Sequence, residues 1–184
     1  MHFLINHLFD SEQGVYGLMK KIIALGLCAL VLSLSNVTTI TASEQSEIEY
    51  IDSKFPDSQR TLVYEYSEQY GICEETLQAL IFCESSYSMD AVNVNTGCYG
   101  ICQINPRVWG DWYTTEESQI QMCCEILTTH LNDIPDIGYA LAAYNGQSDA
   151  LVDYENGTST EDEFVSKVLR ISEQLEELHG KKNY

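Results

Sequence analysis

Apolar side chains recur every three or four residues in five stretches of the chain, which is the spacing of one buried face on an α-helix. The second stretch differs from the others because a carboxyl, Glu84, continues its apolar series. The five stripes are Leu62, Tyr66 and Tyr70; Leu77, Leu80, Ile81 and Glu84; Ile120, Cys123, Cys124, Leu127 and Leu131; Ile137, Leu141 and Tyr144; and Phe164, Val168, Ile171, Leu175 and Leu178.

Residues that start and stop helices set the limits of these stretches. Proline and capping side chains favour helix starts, and glycine favours helix ends. The predicted helices run from Pro56-Asp57-Ser58 to Gly71, from about Glu74 to Ser86, from about Glu117 to Leu131, from Pro135 to Tyr144, and from the capping box Thr160-Glu161-Asp162-Glu163 to Gly180.

The region between the second and third stretches, residues 87–117, has no steady periodicity. It contains Gly97, Gly100, Pro106 and Gly110, which favour turns and loops. We expect loops there, with at most a short pair of strands. The sequence therefore predicts one mainly α-helical domain over residues 58–179, with an irregular or small-strand region after the helix that carries Glu84, and a short tail at 180–184.

The chain begins with features of an export signal. A basic start at residues 19–21 precedes a 13-residue apolar run, which is followed by small and polar residues up to Ala42. This layout predicts a signal peptide over residues 19–42, cleaved near Ala42, and a secreted or cell-wall location. An uncleaved anchor is the alternative, although the run is shorter than the roughly 20 residues of a membrane span.

Residues 1–18 and 43–57 flank this predicted signal. Asp10 and Glu12 are unusual ahead of a basic signal start, so we interpret residues 1–18 as an over-extended reading frame. Residues 43–57 are polar and acidic, with scattered Ile48, Tyr50, Ile51 and Phe55, and are expected to form a tether that packs in part.

The charge of the chain limits its partners. The formal net charge is −19, and removal of residues 1–42 leaves it unchanged. Such a charge disfavours nucleic acid and anionic membrane surfaces as partners, and it suits a soluble monomer.

Six of the seven cysteines follow the predicted signal, and an even number in an exported chain suggests disulfides. Cys73 and Cys83 bracket one helix at roughly 15 Å, too far apart for a bridge. A bridge between Cys98 or Cys102 and the helix that carries Cys123 and Cys124 remains open, as do buried free thiols. His130 and His179 lack the spacing of a zinc site, so we expect no metal. The six are Cys73, Cys83, Cys98, Cys102, Cys123 and Cys124.

Glu84 is the candidate catalytic group. A carboxyl on a face that is otherwise buried tends to keep its proton, and such a group can act as a general acid near neutral pH. Glycosidases that use water usually need two carboxylates. No second carboxylate stands at a motif position, although Asp90 and Asp111 are loop candidates.

Three strings in order carry a family resemblance: Glu84-Ser85, the glycine-rich segment from Gly97 to Pro106, and Ala143-Tyr144-Asn145. Together they resemble the lytic transglycosylase domain of the soluble (SLT) type, which is related to goose-type lysozyme. The resemblance covers about Ser58 to Leu178. It implies a lysozyme-like fold and cleavage of the β-1,4 bond between N-acetylmuramic acid and N-acetylglucosamine in peptidoglycan, leaving a 1,6-anhydro end without a cofactor.

The same resemblance assigns roles to individual residues. Glu84 takes the place of the catalytic acid and base, and Tyr144 is expected to direct its hydroxyl toward that carboxyl. The expected substrate-binding residues are Ser85, Ser86, Gln103, Tyr144 and Asn145. Four aromatic residues are candidates for stacking on sugars: Tyr99, Trp109, Trp112 and Tyr113.

The chain departs from the family pattern at two positions, and three other functions are also consistent with the sequence. Cys98 and Cys102 stand where family members usually carry alanine and methionine. If Asp90 or Asp111 positions a water, the protein would be a lysozyme. A non-catalytic module that binds the wall is another alternative. An interaction module for cell-envelope machinery is the third, because anionic wall polymers would repel the acidic surface.

Overall fold

A computed structural model describes residues 41–111, 113–147, 149–157 and 163–181. The predicted N-terminal extension, the signal peptide up to residue 40 and the capping box at 160–162 lie outside these residues. None of the helices in the described segments has the length and apolar character needed to cross a bilayer. The helices are α1 (Ala42–Ser53), α2 (Asp57–Tyr70), α3 (Glu74–Ser85), α4 (Pro106–Trp109), α5 (Glu116–Asp133), α6 (Ile137–Tyr144), α7 (Ala150–Asn156) and α8 (Glu163–Leu178).

Helix α3 forms the centre of the fold. Every residue from Glu75 to Ile81 is buried, so the helix is enclosed around its whole circumference. It packs against α8 and α2, while α5 packs against α2 and α6, and α6 also contacts α8. The prediction of a mainly α-helical domain is confirmed.

Helix α1 corrects the prediction that residues 43–57 are a tether. Ile48 and Ile51 are each 1% exposed and Phe55 is 4% exposed, so these side chains belong to the core. Their spacing of three and then four residues is itself a helical stripe. The many acidic residues around this stripe concealed it. The compact unit therefore begins at Ser43 rather than Ser58.

Two short helices were not predicted from the sequence. Helix α4 begins after Asn105, whose side chain accepts a hydrogen bond from the Arg107 backbone N–H at 3.0 Å, with Pro106 at its first position. This Asn-Pro pair is a recognisable helix start. Helix α7 lacks a clear stripe in the sequence. The predicted strand pair is reduced to two antiparallel bridges, Val92–Tyr99 and Tyr99–Ile104.

A cluster of charged side chains fixes the N-terminal end of α3. The Glu75 carboxylate is buried and lies 2.9 Å from both His179 Nδ1 and Lys181 Nζ. The other ring nitrogen of His179 lies 3.4 Å from Asp52 in α1. Burial alone would raise the pKa of Glu75, but the hydrogen bonds from His179 and Lys181 hold the pKa below its ordinary value. Lys181, predicted as part of a tail, therefore belongs to the folded unit.

Removal of residues 179–184 should destabilise the fold, because it leaves the Glu75 carboxylate buried without its partners. We expect a loss of about 3 kcal/mol at neutral pH, measured by urea unfolding. Since the folded-state pKa of Glu75 is lowered, the contribution is present above the unfolded pKa and disappears as the pH falls through the folded value. Adding Glu75→Gln to the truncated chain should recover part of the loss. Equal unfolding midpoints for the full and truncated chains would contradict this role.

Candidate functional site

Glu84 lies in the last turn of α3, where the central helix reaches the surface. Its side chain is half-buried, and this burial raises the pKa of the carboxyl to about 7. Within the described part of the chain, no hydrogen bond or ion pair joins this carboxyl to another side chain. Glu84 is therefore an acid that holds its proton up to neutral pH and remains free to transfer it.

The backbone turns sharply after Glu84. Ser86 and Tyr87 have φ angles of 53° and 70°, a left-handed conformation that is unfavourable for residues other than glycine. The turn is held in place because the Gln59 amide donates to the Tyr87 carbonyl at 3.0 Å. The Tyr87 ring also packs against Phe55 and Phe82. Strained backbone of this kind is common beside functional groups, and sequence reasoning did not identify it.

Ser85 connects the end of α3 to the glycine-rich loop, residues 97–106. Its hydroxyl donates to the Ile101 carbonyl at 2.8 Å and lies 3.3 Å from the Ile81 carbonyl. The hydroxyl predicted to contact a sugar thus holds the loop against the helix. Ser86 is exposed and its backbone N–H caps α3 by donating to Phe82.

Gln103 holds the glycine-rich loop from within. Its side-chain NH₂ donates to the carbonyls of Ala91 at 3.1 Å and Gly100 at 2.9 Å, and its own φ is 48°. These bonds use both amide protons and leave the acceptor capacity of Oε1 for other partners. Gln103 therefore has a structural role, and only its oxygen matches the predicted contact with a sugar.

Tyr144, at the end of α6, faces the same loop. Its hydroxyl donates to the Cys102 carbonyl at 2.8 Å. Burial raises the pKa of Tyr144, and the nearby Cys123, Cys102 and Glu84 side chains raise it further. Asn145 follows as an exposed residue that ends the helix. The Tyr144 side chain therefore holds the glycine-rich loop and lies close enough to Glu84 to interact with it electrostatically.

All six cysteines in the described residues are free thiols. Cys102 and Cys123 are fully buried, and their thiols contact each other between the loop and α5. No disulfide therefore joins the glycine-rich loop to α5, although these are the two elements that the bridge considered from the sequence would join. Cys83 precedes Glu84, and burial raises the pKa of its thiol to about 11.

A cleft of about 390 Å³ separates the glycine-rich loop from the ends of α5 and α6. Glu84 is not among the residues that line it. The lining includes three predicted site residues and one aromatic candidate: Gln103, Tyr144, Asn145 and Trp109.

The other candidates lie elsewhere. Tyr113 is fully buried, and Tyr99 stacks on it with a centroid distance of 5.7 Å. Asp90 and Asp111 are exposed and do not line the cleft. Trp112 lies outside the described residues. In the described segments, no group of three His, Cys, Asp or Glu side chains is arranged to hold a metal ion.

The raised pKa of Glu84 should make stability depend on pH. Because the folded-state pKa of about 7 exceeds the ordinary value of 4.5, the folded protein binds the proton more tightly than the unfolded chain. Stability should therefore fall as the pH rises from about 4.5 to about 7. We expect Glu84→Gln to unfold at higher urea than the wild type at about pH 8, by up to about 3 kcal/mol, and near the wild type at about pH 4. If the free energies of unfolding of the variant and the wild type differed by the same amount at both pH values, the result would contradict a desolvated Glu84 carboxyl.

Comparison with protein families places these residues in one domain. The family model described as Transglycosylase SLT domain matches residues 61–165, which is more than half of the chain. The match includes Glu84, Gln103 and Tyr144. No curated protein matches the chain.

Proposed function

Because the chain belongs to the SLT transglycosylase family, we propose that it cleaves peptidoglycan strands between N-acetylmuramic acid and N-acetylglucosamine, leaving a 1,6-anhydro-muramic end. The main support for the proposal is the raised pKa of the Glu84 carboxyl. A carboxyl with a pKa of about 7 and no hydrogen-bond or ion-pair partner in the described residues has the proton affinity of a general acid and base.

The reaction uses the same carboxyl twice. Protonated Glu84 donates its proton to the glycosidic oxygen as the bond to muramic C1 breaks. The resulting carboxylate then accepts the proton of the muramic 6-hydroxyl, whose oxygen bonds to C1. The proton returns to Glu84, and no water is consumed.

The supporting residues have distinct proposed roles around this step. The Oε1 atom of Gln103 accepts a hydrogen bond from the glycan, and Asn145 offers its side-chain amide at the cleft. Ser86 is the exposed contact beside the acid. Ser85 and Tyr144 position the loop through their bonds to the Ile101 and Cys102 carbonyls.

A lysozyme reaction is the second candidate. It would need a carboxylate to assist the attack of water or to stabilise the sugar cation. Asp90 and Asp111 are exposed, whereas Glu84 is half-buried, so neither aspartate shares its environment as the second member of a carboxylate pair. A non-catalytic module would have no use for a desolvated acid, whose burial costs stability at neutral pH.

Digestion of purified peptidoglycan tests the proposal directly. Mass spectrometry should find muropeptides lighter by one water than hydrolysed products, with muramic ends that borohydride does not reduce. Hydrated, reducible ends would establish a lysozyme. The absence of any product from folded protein would leave the binding-module alternative. An exported enzyme should show this activity outside the cytoplasm.

Replacement of Tyr144 by phenylalanine should loosen the loop without removing the acid. The variant loses the hydrogen bond to the Cys102 carbonyl, worth about 1 kcal/mol. We expect the turnover rate to fall roughly ten-fold, because misplaced loop groups lose contacts made in the transition state. The pH at which activity declines should change little. An unchanged rate would show that this bond does not position the site.

A further inference from the structure

A pair of buried thiols, which the proposed reaction does not use, lies between the glycine-rich loop and α5. Cys102 belongs to the loop and Cys123 to the helix, and both residues are fully buried. Their thiols are hydrogen-bonded to each other. A disulfide requires two side chains that are directed at each other. The two sulfurs that a bridge would join are therefore already neighbours.

The other cysteines that the structure describes have different surroundings. Cys124 has two tyrosine hydroxyls of α2 among its electrostatic neighbours, although it directly follows Cys123. Cys83 has two basic side chains of α8 near it. The Cys73 thiol donates to two carboxylates, and Cys98 lines the cleft. These placements single out one pair for a bridge between the loop and α5.

The thiol pair lies where the loop is held near the acid. The hydroxyls of Ser85 and Tyr144 each donate to a loop carbonyl at 2.8 Å. The Tyr144 hydroxyl is also within hydrogen-bond reach of the Cys123 thiol, and Cys102 is an electrostatic neighbour of Glu84. Each anchor is a single hydrogen bond, which breaks if the loop moves. A covalent bond at the same point would hold the loop more firmly.

Burial determines when such a bridge can form. The thiolate is the form that reacts, and burial raises the pKa of the Cys102 thiol. Neither Cys102 nor Cys123 is accessible to an oxidant in solution once the protein has folded. The bridge should therefore form during folding, before the loop closes on α5. The redox conditions of folding would then determine which form is obtained.

We propose that Cys102 and Cys123 form a disulfide when the chain folds in an oxidising environment, and that this bridge fixes the glycine-rich loop in the position needed for cleavage. The effect on cleavage rests on the proposed function, whereas formation of the bridge does not. Protein that folds under reducing conditions is then the slower enzyme.

The oxidant is a second disulfide, carried by a small thiol or by a thiol oxidoreductase. The sulfur of one cysteine attacks this disulfide and releases one thiol, which leaves a mixed disulfide. The sulfur of the other cysteine then displaces the second thiol. Two electrons and two protons thus pass from the cysteine pair to the oxidant, which is reduced to two thiols.

Refolding the unfolded protein under two redox conditions tests whether the bridge forms. One sample refolds with reduced and oxidised glutathione and the other with dithiothreitol, and free thiols are alkylated before digestion. Cleavage after glutamate places Cys102 in residues 85–116 and Cys123 in residues 118–125. We expect these two fragments to be disulfide-linked in the glutathione sample alone. If they are not linked there, the proposal is wrong.

Cys98 and Cys124 occur in the same two fragments, so matched variants are needed to identify the bridge. Cys102→Ala and Cys123→Ala should each abolish the linked fragments, whereas Cys98→Ala and Cys124→Ala should retain them. If one variant of the proposed pair does not fold, the other makes the same test from the opposite element. Linkage that survives in Cys102→Ala or Cys123→Ala would contradict the assignment.

The rate of peptidoglycan cleavage tests what the bridge does. Both refolded samples are assayed without redox reagents, at a temperature where each is fully folded. We expect the bridged form to release soluble muropeptides roughly three- to ten-fold faster, because a loop held in place keeps the site groups aligned. This difference should disappear in Cys102→Ala and persist in Cys98→Ala.

The possible results separate the two proposals. Equal rates for the bridged and reduced forms would overturn the effect on the loop and leave the cleavage proposal intact. If the linked fragments form but neither sample cleaves peptidoglycan, the proposed function fails, and the effect of the bridge on cleavage fails with it.

Discussion

Glu84→Gln should abolish peptidoglycan cleavage while leaving the protein folded. The amide has nearly the same shape as the carboxyl but can neither donate the proton to the glycosidic oxygen nor accept one from the 6-hydroxyl. General acid–base groups contribute typically 10²- to 10⁴-fold, and here one residue has both roles, so we expect a loss of roughly 10³-fold or more. The release of soluble muropeptides from purified peptidoglycan measures it.

A control variant and the pH dependence of activity test whether the loss comes from the Glu84 carboxyl itself. Glu68→Gln removes the same charge from an exposed position and should retain full activity. In the wild type, activity should decline above about pH 7, because the leaving oxygen needs a protonated Glu84. If Glu84→Gln retained activity, another residue would have to supply the acid, and the mechanism would be wrong.

Gly100→Ala should be the most damaging small substitution in the glycine-rich loop. Gly100 has a φ of 77°, and a Cβ there would overlap the side-chain amide of Gln119. Gln119 is fully buried, so it has little room to move. Left-handed backbone and overpacking together should cost roughly 2 to 5 kcal/mol in urea unfolding. Activity should fall as well, because Gly100 accepts a bond from Gln103.

Gly97→Ala is the matched control for this effect. Gly97 has the same φ of 77°, but a Cβ there would meet no atom within 4 Å. Its cost should be limited to backbone strain of about 1 to 2 kcal/mol. Equal losses in the two variants would show that the contact with Gln119 is unimportant and that only the backbone conformation matters.

The sequence predicted the helices well where their stripes were regular. The helix predicted from about Glu117 to Leu131 is observed as Glu116–Asp133, and Gly71 and Gly180 follow α2 and α8 as expected. Helix α1 was missed because only Ile48, Ile51 and Phe55 mark its buried face among acidic residues. A short stripe of this kind stabilises a helix only when the rest of the core is present, and periodicity within one segment cannot show that.

The candidate site was predicted in outline but not in its connections. The position of Glu84 on a buried face followed from spacing alone. The hydrogen bonds of Ser85, Gln103 and Tyr144 to loop carbonyls could not be predicted in this way. Their acceptors are backbone atoms, which are the same in every residue and leave no pattern in the sequence. Likewise, the left-handed turn at Ser86 and Tyr87 uses residues that carry no turn signal, since surrounding contacts force the conformation.

The cluster around Glu75 has a consequence for the timing of assembly. It joins α1, through Asp52, to His179 and Lys181, near the opposite end of the folded unit, and both contacts converge on the helix that carries Glu84. During synthesis, α3 is therefore translated long before His179 and Lys181, the partners of its buried Glu75 carboxylate. The acid should reach its final position only after residues 179–181 have emerged. If the chain has the proposed cleavage activity, that activity would be absent from the nascent chain.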